Sequence, residues 1–226
     1  MRCVSLTSAL LCIACATAGA AMFKTTVGSA TLQLVLPAGM CQIDAENPED
    51  AAYVAAIESG LAGTNKLLGA FADCNQLAQW RSSKKMFVEY GFYQAPVGMI
   101  DSVATVDMVA DVCRELRSQG EKMLDEAQGD LTLRTQRALN GLQVSQVRSL
   151  GVIGEEANVC YSAVMRNMDE EGEPRLQDLV FALTVLKGKL LFLYVYAPHA
   201  NEHAIPVLLD RVRMTVSALA AANEHD

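Results

Sequence analysis

The chain has 226 residues, 51% of them hydrophobic and 19% charged, with a formal net charge of −8. That length and apolar content suffice for one substantial core and exclude a disordered chain. The acidic balance excludes nucleic acid or an anionic membrane surface as the main partner, because both reward clusters of Lys and Arg that are missing here.

The first segment, Met1 to Phe23, carries one charge at Arg2, then an uncharged stretch that ends in small residues. This is the layout of a secretory signal, with Ala16-Thr17-Ala18 and Ala18-Gly19-Ala20 both acceptable cleavage sites. The expected organisation is a signal peptide over 1–20 and one domain over 21–226, periplasmic or secreted, with no membrane span after cleavage. Two alternatives stay open. If uncleaved, Cys3 to Phe23 reaches the roughly 20 residues a spanning helix needs, although its Ala, Ser, Thr and Gly make a poor anchor. A lipoprotein anchor needs a Leu-like residue three before the acceptor, and Cys12-Ile13-Ala14-Cys15 offers Cys there.

Cleavage removes Cys3, Cys12 and Cys15 and leaves Cys41, Cys74, Cys113 and Cys160. In an exported chain an even set is compatible with two disulfides, and four cysteines allow three connectivities. Cys41 with Cys74 is the preferred bridge and Cys113 with Cys160 the second, buried free thiols being the alternative. The spacings match no zinc motif.

Along the mature chain, Leu32, Leu34 and Leu36 alternate up to Pro37-Ala38-Gly39, a first strand and turn. Asn47-Pro48-Glu49-Asp50 combines a capping side chain, a proline at the first helical position and two acids in the first turn, so a helix runs from there to about Gly60. Asn65 to Cys74 reads as strand, with helix the alternative for a run this short, Asn75 to Arg81 as a short helix carrying Trp80, and Met86 to Val97 as an aromatic-rich strand stopped at Pro96. An aromatic platform for a stacked ligand would need a basic groove beside it, and only Lys84 and Lys85 are near in sequence. Val106, Val109, Val112, Cys113 and Leu116 recur at helical spacing, and a second helical stretch fills Glu121 to Asn140. Gly151 to Ile153 and Val159 to Met168 follow as strands joined across residues 154–158, and Asp169 to Pro174 as an acidic turn lacking the calcium-loop pattern.

Leu179 to Tyr196 is two apolar runs around Lys187-Gly188-Lys189. It reads as a hairpin with a type I turn and Gly188 in the left-handed position. Leu179, Phe181, Leu183 and Val185 point one way, and Val180, Ala182, Thr184 and Leu186 the other. Both sets want to be dry, so the hairpin needs a covering layer on each side. The last element is an amphipathic helix marked by Ile205, Leu208, Leu209, Val212, Val216 and Leu219.

His199-Ala200-Asn201-Glu202-His203 matches H-x-x-E-H, in which two histidines one helical turn apart hold zinc while the glutamate activates water. That geometry requires a helix through 199–203. Pro206 would clash within such a helix, so the motif is expected in the strand-to-helix connection. Ser-centred elbows, phosphate-binding glycine loops and dinucleotide fingerprints are missing, and no cofactor is expected.

The hairpin Leu179 to Tyr196, the connector Ala197 to Ala204 and the helix Ile205 to Ala222 together resemble the PsbP-like (DcrB-like) α/β/α sandwich. Asn65 to Trp80 also resembles a segment of exported proteobacterial proteins. The expected fold class is therefore α/β (α+β), with a central, mainly antiparallel sheet and helices on both faces. The resemblance implies a noncatalytic binding or assembly-accessory module, docked on an envelope or membrane-associated protein. Two alternatives are a zinc-dependent hydrolase, with His199 and His203 as ligands and Glu202 as base, and a small-ligand carrier with a pocket lined by Tyr194, Tyr196 or Trp80. The export reading predicts that the intact mass of the mature protein, measured after expression with its leader, corresponds to a chain starting after Ala18 or Ala20. A full-length mass would refute it.

Overall fold

Leu179 to Tyr196 lies at the centre of a seven-stranded antiparallel sheet, as two dry faces require. The computed structural model describes residues 21–120, 122, 142–170 and 173–224. The elements are β1 (Met22–Val27), β2 (Ala30–Val35), β3 (Met40–Ile43), α1 (Pro48–Leu61), β4 (Asn65–Asp73), α2 (Cys74–Ser83) and β5 (Tyr90–Pro96). After a 3-10 turn at Val97–Met99 come α3 over residues 106–120, β6 (Leu142–Glu156), β7 (Val159–Glu170), β8 (Glu173–Leu186), β9 (Lys189–Pro198) and α4 (Ala204–Asn223). The sheet order is β3-β4-β5-β9-β8-β7-β6, every neighbouring pair antiparallel, and β1 pairs only with β2.

One face of the sheet is covered by α4 and the β1–β2 hairpin. Val180 and Ala182 of β8 and Leu191, Leu193 and Val195 of β9 meet Leu208, Val212 and Leu219 of α4 there, together with Leu32 and Leu34 of β2. Each such fully buried aliphatic side chain contributes about 1.5–3 kcal/mol. Phe23 of β1 lies over Gly69 of β4, where a Cβ would sit 2.3 Å from the ring, so glycine is what lets the hairpin dock. The Tyr93 hydroxyl donates to the Val35 carbonyl at 2.5 Å, and the Asn223 side chain bonds the Gln33 N–H (3.0 Å) and carbonyl (2.8 Å).

The opposite face carries α1 and α2 over β3–β5, and α3 over β7–β9. Tyr53, Val54 and Ile57 of α1 and Leu77 of α2 pack on Ala70, Ala72 and Phe92, while Val109 and Cys113 of α3 pack on Cys160, Leu183 and Leu190. Both expected disulfides are present: Cys41–Cys74 ties the β3 edge to the start of α2, and Cys113–Cys160 ties α3 to β7. Asp50 of α1 is fully buried. Burial alone would raise its pKa, but Arg81 of α2, at 2.5 and 3.0 Å, and the Asp44 N–H outweigh it and hold the carboxyl below its ordinary value. Helices on both faces of an antiparallel sheet make the α/β/α sandwich that the sequence leads one to expect.

Several local expectations change. The strand β1 goes unread from sequence because Met22 to Val27 adjoins the leader and shows no clear alternation of its own. Lys187 and Gly188 both have positive φ, 46° and 71°, so the hairpin turn is of the two-residue type I′ class and not type I. β6 extends far beyond Gly151 to Ile153. It is an edge strand with three register shifts, which scramble the alternation that would have revealed it and blunt the edge against further pairing. Strands β7 and β8 run through most of the supposed acidic turn, including Asp169 and Pro174. The helix expected over Glu121 to Asn140 lies outside the described residues, apart from residue 122. Replacing Cys41 and Cys74 together by alanine is expected to cost about 2–4 kcal/mol, measured by denaturant unfolding without reductant. An unchanged midpoint would show that this bridge does not restrain the unfolded chain.

Candidate functional site

The four-residue stretch Tyr90 to Tyr93 alternates across the sheet, so Tyr90 and Phe92 face α1 and α2 while Tyr93 faces α4. Beside them on β9, Tyr196 stacks on Tyr90 at 4.7 Å between ring centroids. Tyr53 of α1 closes on Phe87 edge-to-face at 5.0 Å, and Trp80 of α2 approaches both at 5.9 Å. Residues 84–89, which form neither helix nor strand, are pinned over this cluster by two glutamines. Gln76 Oε1 accepts from the Val88 and Glu89 N–H groups at 2.7 and 3.2 Å, and Gln177 Nε2 donates to the Val88 carbonyl at 3.2 Å.

Into the aromatic layer β7 inserts Arg166, which is 7% exposed. Its Nε and Nη2 donate to Gln177 Oε1 at 3.0 and 2.7 Å, and Nη2 also donates to the Tyr90 hydroxyl at 2.7 Å. The guanidinium carbon lies 4.4 Å from the Tyr196 ring centroid, a cation–π contact. Among the described residues Arg166 makes no ion pair, so its charge is held entirely by neutral groups.

Next to this network is a cavity of about 190 Å³. Tyr53, Phe87, Tyr90, Met168 and Gln177 form its buried wall, and Arg175, Leu176 and Pro198 its exposed rim. The Tyr53 hydroxyl is buried and has no hydrogen-bond partner, and neither does Trp80 Nε1. An unsatisfied buried donor costs about 1–3 kcal/mol. Burial pushes the Tyr53 phenol well above its ordinary value. Burial likewise raises Tyr196 to about 12, with the Arg166 charge acting in the opposite sense. Both phenols therefore stay protonated near neutral pH and act as neutral donors.

The H-x-x-E-H residues lie elsewhere, in the connection between β9 and α4 where the prolines place them. His199 Nδ1 is 2.8 and 3.0 Å from the two carboxylate oxygens of Asp178, a fully buried residue on the α4 side of the sheet. His203 is the residue preceding α4; its Nε2 is 3.6 Å from Glu202, and both side chains are exposed. Residues 199–203 form no helix, so the one-turn spacing that zinc binding needs is not produced, and among the described residues no group of three His, Cys, Asp or Glu is placed to hold a metal. Of the aromatic residues expected to line a pocket, Tyr196 and Trp80 support the cluster from behind, while Tyr194 packs on Phe181 and Phe192 further along the sheet. None of the three lines the cavity. Arg166 and Gln177 escaped attention because each sits alone in an otherwise strand-like run. The available signal was a charged residue breaking the apolar stretch from Val159 to Met168.

Gln177→Leu removes the acceptor shared by two Arg166 nitrogens and the donor to Val88. A buried guanidinium left with fewer acceptors is expected to cost about 2–3 kcal/mol in urea unfolding. A loss below about 0.5 kcal/mol, the range of ordinary surface changes, would show that water replaces Gln177 freely.

No protein-family model and no curated protein matches this chain. Among solved structures it is similar to cyanobacterial PsbP from Synechocystis, at 12% identity and a TM-score of 0.38 over 89% of this chain and 95% of that one. It is also similar to the Saccharomyces cerevisiae Ran-binding protein Mog1p, at 12% identity and a TM-score of 0.34 over 90% of this chain and 93% of that one. Both are of the PsbP-like kind that the hairpin, connector and closing helix resemble; the likeness to exported proteobacterial proteins has no counterpart in these matches. Likenesses this weak say nothing of what the protein binds.

Proposed function

We propose that the protein is an exported, noncatalytic binding protein that takes a small, largely apolar ligand into the cavity between α1 and the sheet. The observation that carries this reading is the 190 Å³ cavity, walled by Tyr53, Phe87, Tyr90 and Met168. A cavity of about 150 Å³ lined by apolar side chains takes up benzene, so this one has room for a single ring with a small substituent. A noncatalytic role is supported by what surrounds it. The four described cysteines are all in disulfides, and the Tyr53 phenol in the cavity wall is held protonated. Export is supported by the leader-like residues 1–20 and by two disulfides, which persist in oxidising compartments. No described helix is long and apolar enough to cross a membrane.

The expected envelope partner would be served by a different surface. Val97, Val103 and Val106 are exposed at the end of the sheet near the Lys187-Gly188 turn, away from the cavity.

Toluene is the simplest probe of the ligand reading. At ten times its dissociation constant it should stabilise the native state by about 1.4 kcal/mol, a rise of a few degrees in unfolding temperature that keeps growing with the logarithm of concentration. No rise at any concentration up to solubility would refute the reading.

A further inference from the structure

The cavity is apolar, yet its polar equipment is one-sided. Tyr53 offers a buried hydroxyl donor with no acceptor. The Tyr90 hydroxyl and the Gln177 carboxamide, both lining the cavity, are the groups to which Arg166 is bonded. That places a buried positive charge directly behind the wall, and the neighbouring acids are engaged elsewhere. Asp178 points to the opposite face and bonds His199, Glu89 pairs with Arg211 at 3.0 Å, and Asp50 pairs with Arg81. A guanidinium 7% exposed and balanced only by neutral groups and a ring face is costly, and an anion close by offsets that cost.

Resting on the reading of the cavity as a ligand site, we infer that its ligand is a small monocarboxylate with an apolar, ring-sized body. The carboxylate accepts from the Tyr53 hydroxyl on the side of the cavity backed by Arg166, and the apolar body fills the space between Phe87 and Met168. A phosphate or sulfate is a poorer fit. Its several oxygens need more donors than the Tyr53 hydroxyl and the one Gln177 Nε2 hydrogen not given to Val88 supply. Charge explains selectivity and the apolar wall explains retention: a neutral ring of the same size gains the burial without the attraction to Arg166.

The test compares benzoate, benzamide and toluene on the mature protein, read by calorimetry and by the fluorescence of Trp80, the chain's single tryptophan. Benzoate is expected to bind at least tenfold more tightly than benzamide, with the preference shrinking as salt is raised. Tyr53→Phe, which keeps the ring and loses only the hydroxyl, should weaken benzoate roughly tenfold or more and leave toluene unchanged. Arg166→Met should abolish the preference for benzoate over benzamide. Should that variant fail to fold, judged by near-ultraviolet circular dichroism, Tyr53→Phe and the benzamide comparison decide alone. Toluene binding with no preference for benzoate, or a benzoate affinity untouched by Tyr53→Phe, overturns the carboxylate inference and leaves the cavity reading standing. Failure of toluene to bind overturns the cavity reading and the carboxylate inference with it.

Discussion

The β8–β9 ribbon is apolar on both faces, and everything else in the molecule answers to that. Val180 and Val195 are fully buried toward α4, and Leu183 is fully buried toward α3. A ribbon of this kind has no stable position at an edge or on a surface; it must sit mid-sheet with a layer above and a layer below. The sheet order places it there, with β5 on one side and β7 on the other. The edges fall to strands suited to them, the four-residue β3 and the repeatedly bulged β6.

The same constraint explains why the fold was more legible than the site. Hydrophobic periodicity and capping chemistry are local, so the Asn47 cap, the strand at Asn65, the closing helix and the doubly buried hairpin could be read from neighbouring residues. Strand β6 could not, because Gln146 and Gly151 take positive φ and break the alternation on which strand reading depends. The site is assembled from long-range pairings. Arg166, Gln177, Tyr90 and Tyr53 come from three strands and a helix, with sequence separations up to 87 along a single hydrogen bond. No window of sequence contains them together. An aromatic strand was legible near Tyr90, but the cation that gives it polarity arrives from β7, and Lys84 and Lys85, the nearest cations in sequence, lie on the exposed surface.

The H-x-x-E-H stretch shows the opposite failure, a pattern present in sequence and dissolved by geometry. His199 is drawn to the buried Asp178 carboxylate and gives its oxygens a hydrogen-bond partner on the α4 side of the sheet. Glu202 and His203 turn to solvent in the short link that lets the chain pass from the sheet to the helix. Five consecutive residues thus carry a structural tether and a turn.

The two covering layers differ in how they are built. The cavity side is made of three internal helices, of which α2 and α3 are tied by disulfides, whereas the α4 side is made of β1 and β2 near one end of the described chain and α4 near the other. The Asn223 side chain bonds the backbone of Gln33, so the outermost elements meet on the same side of the sheet. Loosening the α4 layer therefore means breaking hydrogen bonds and apolar contacts alone, whereas the cavity-side layer is also closed covalently.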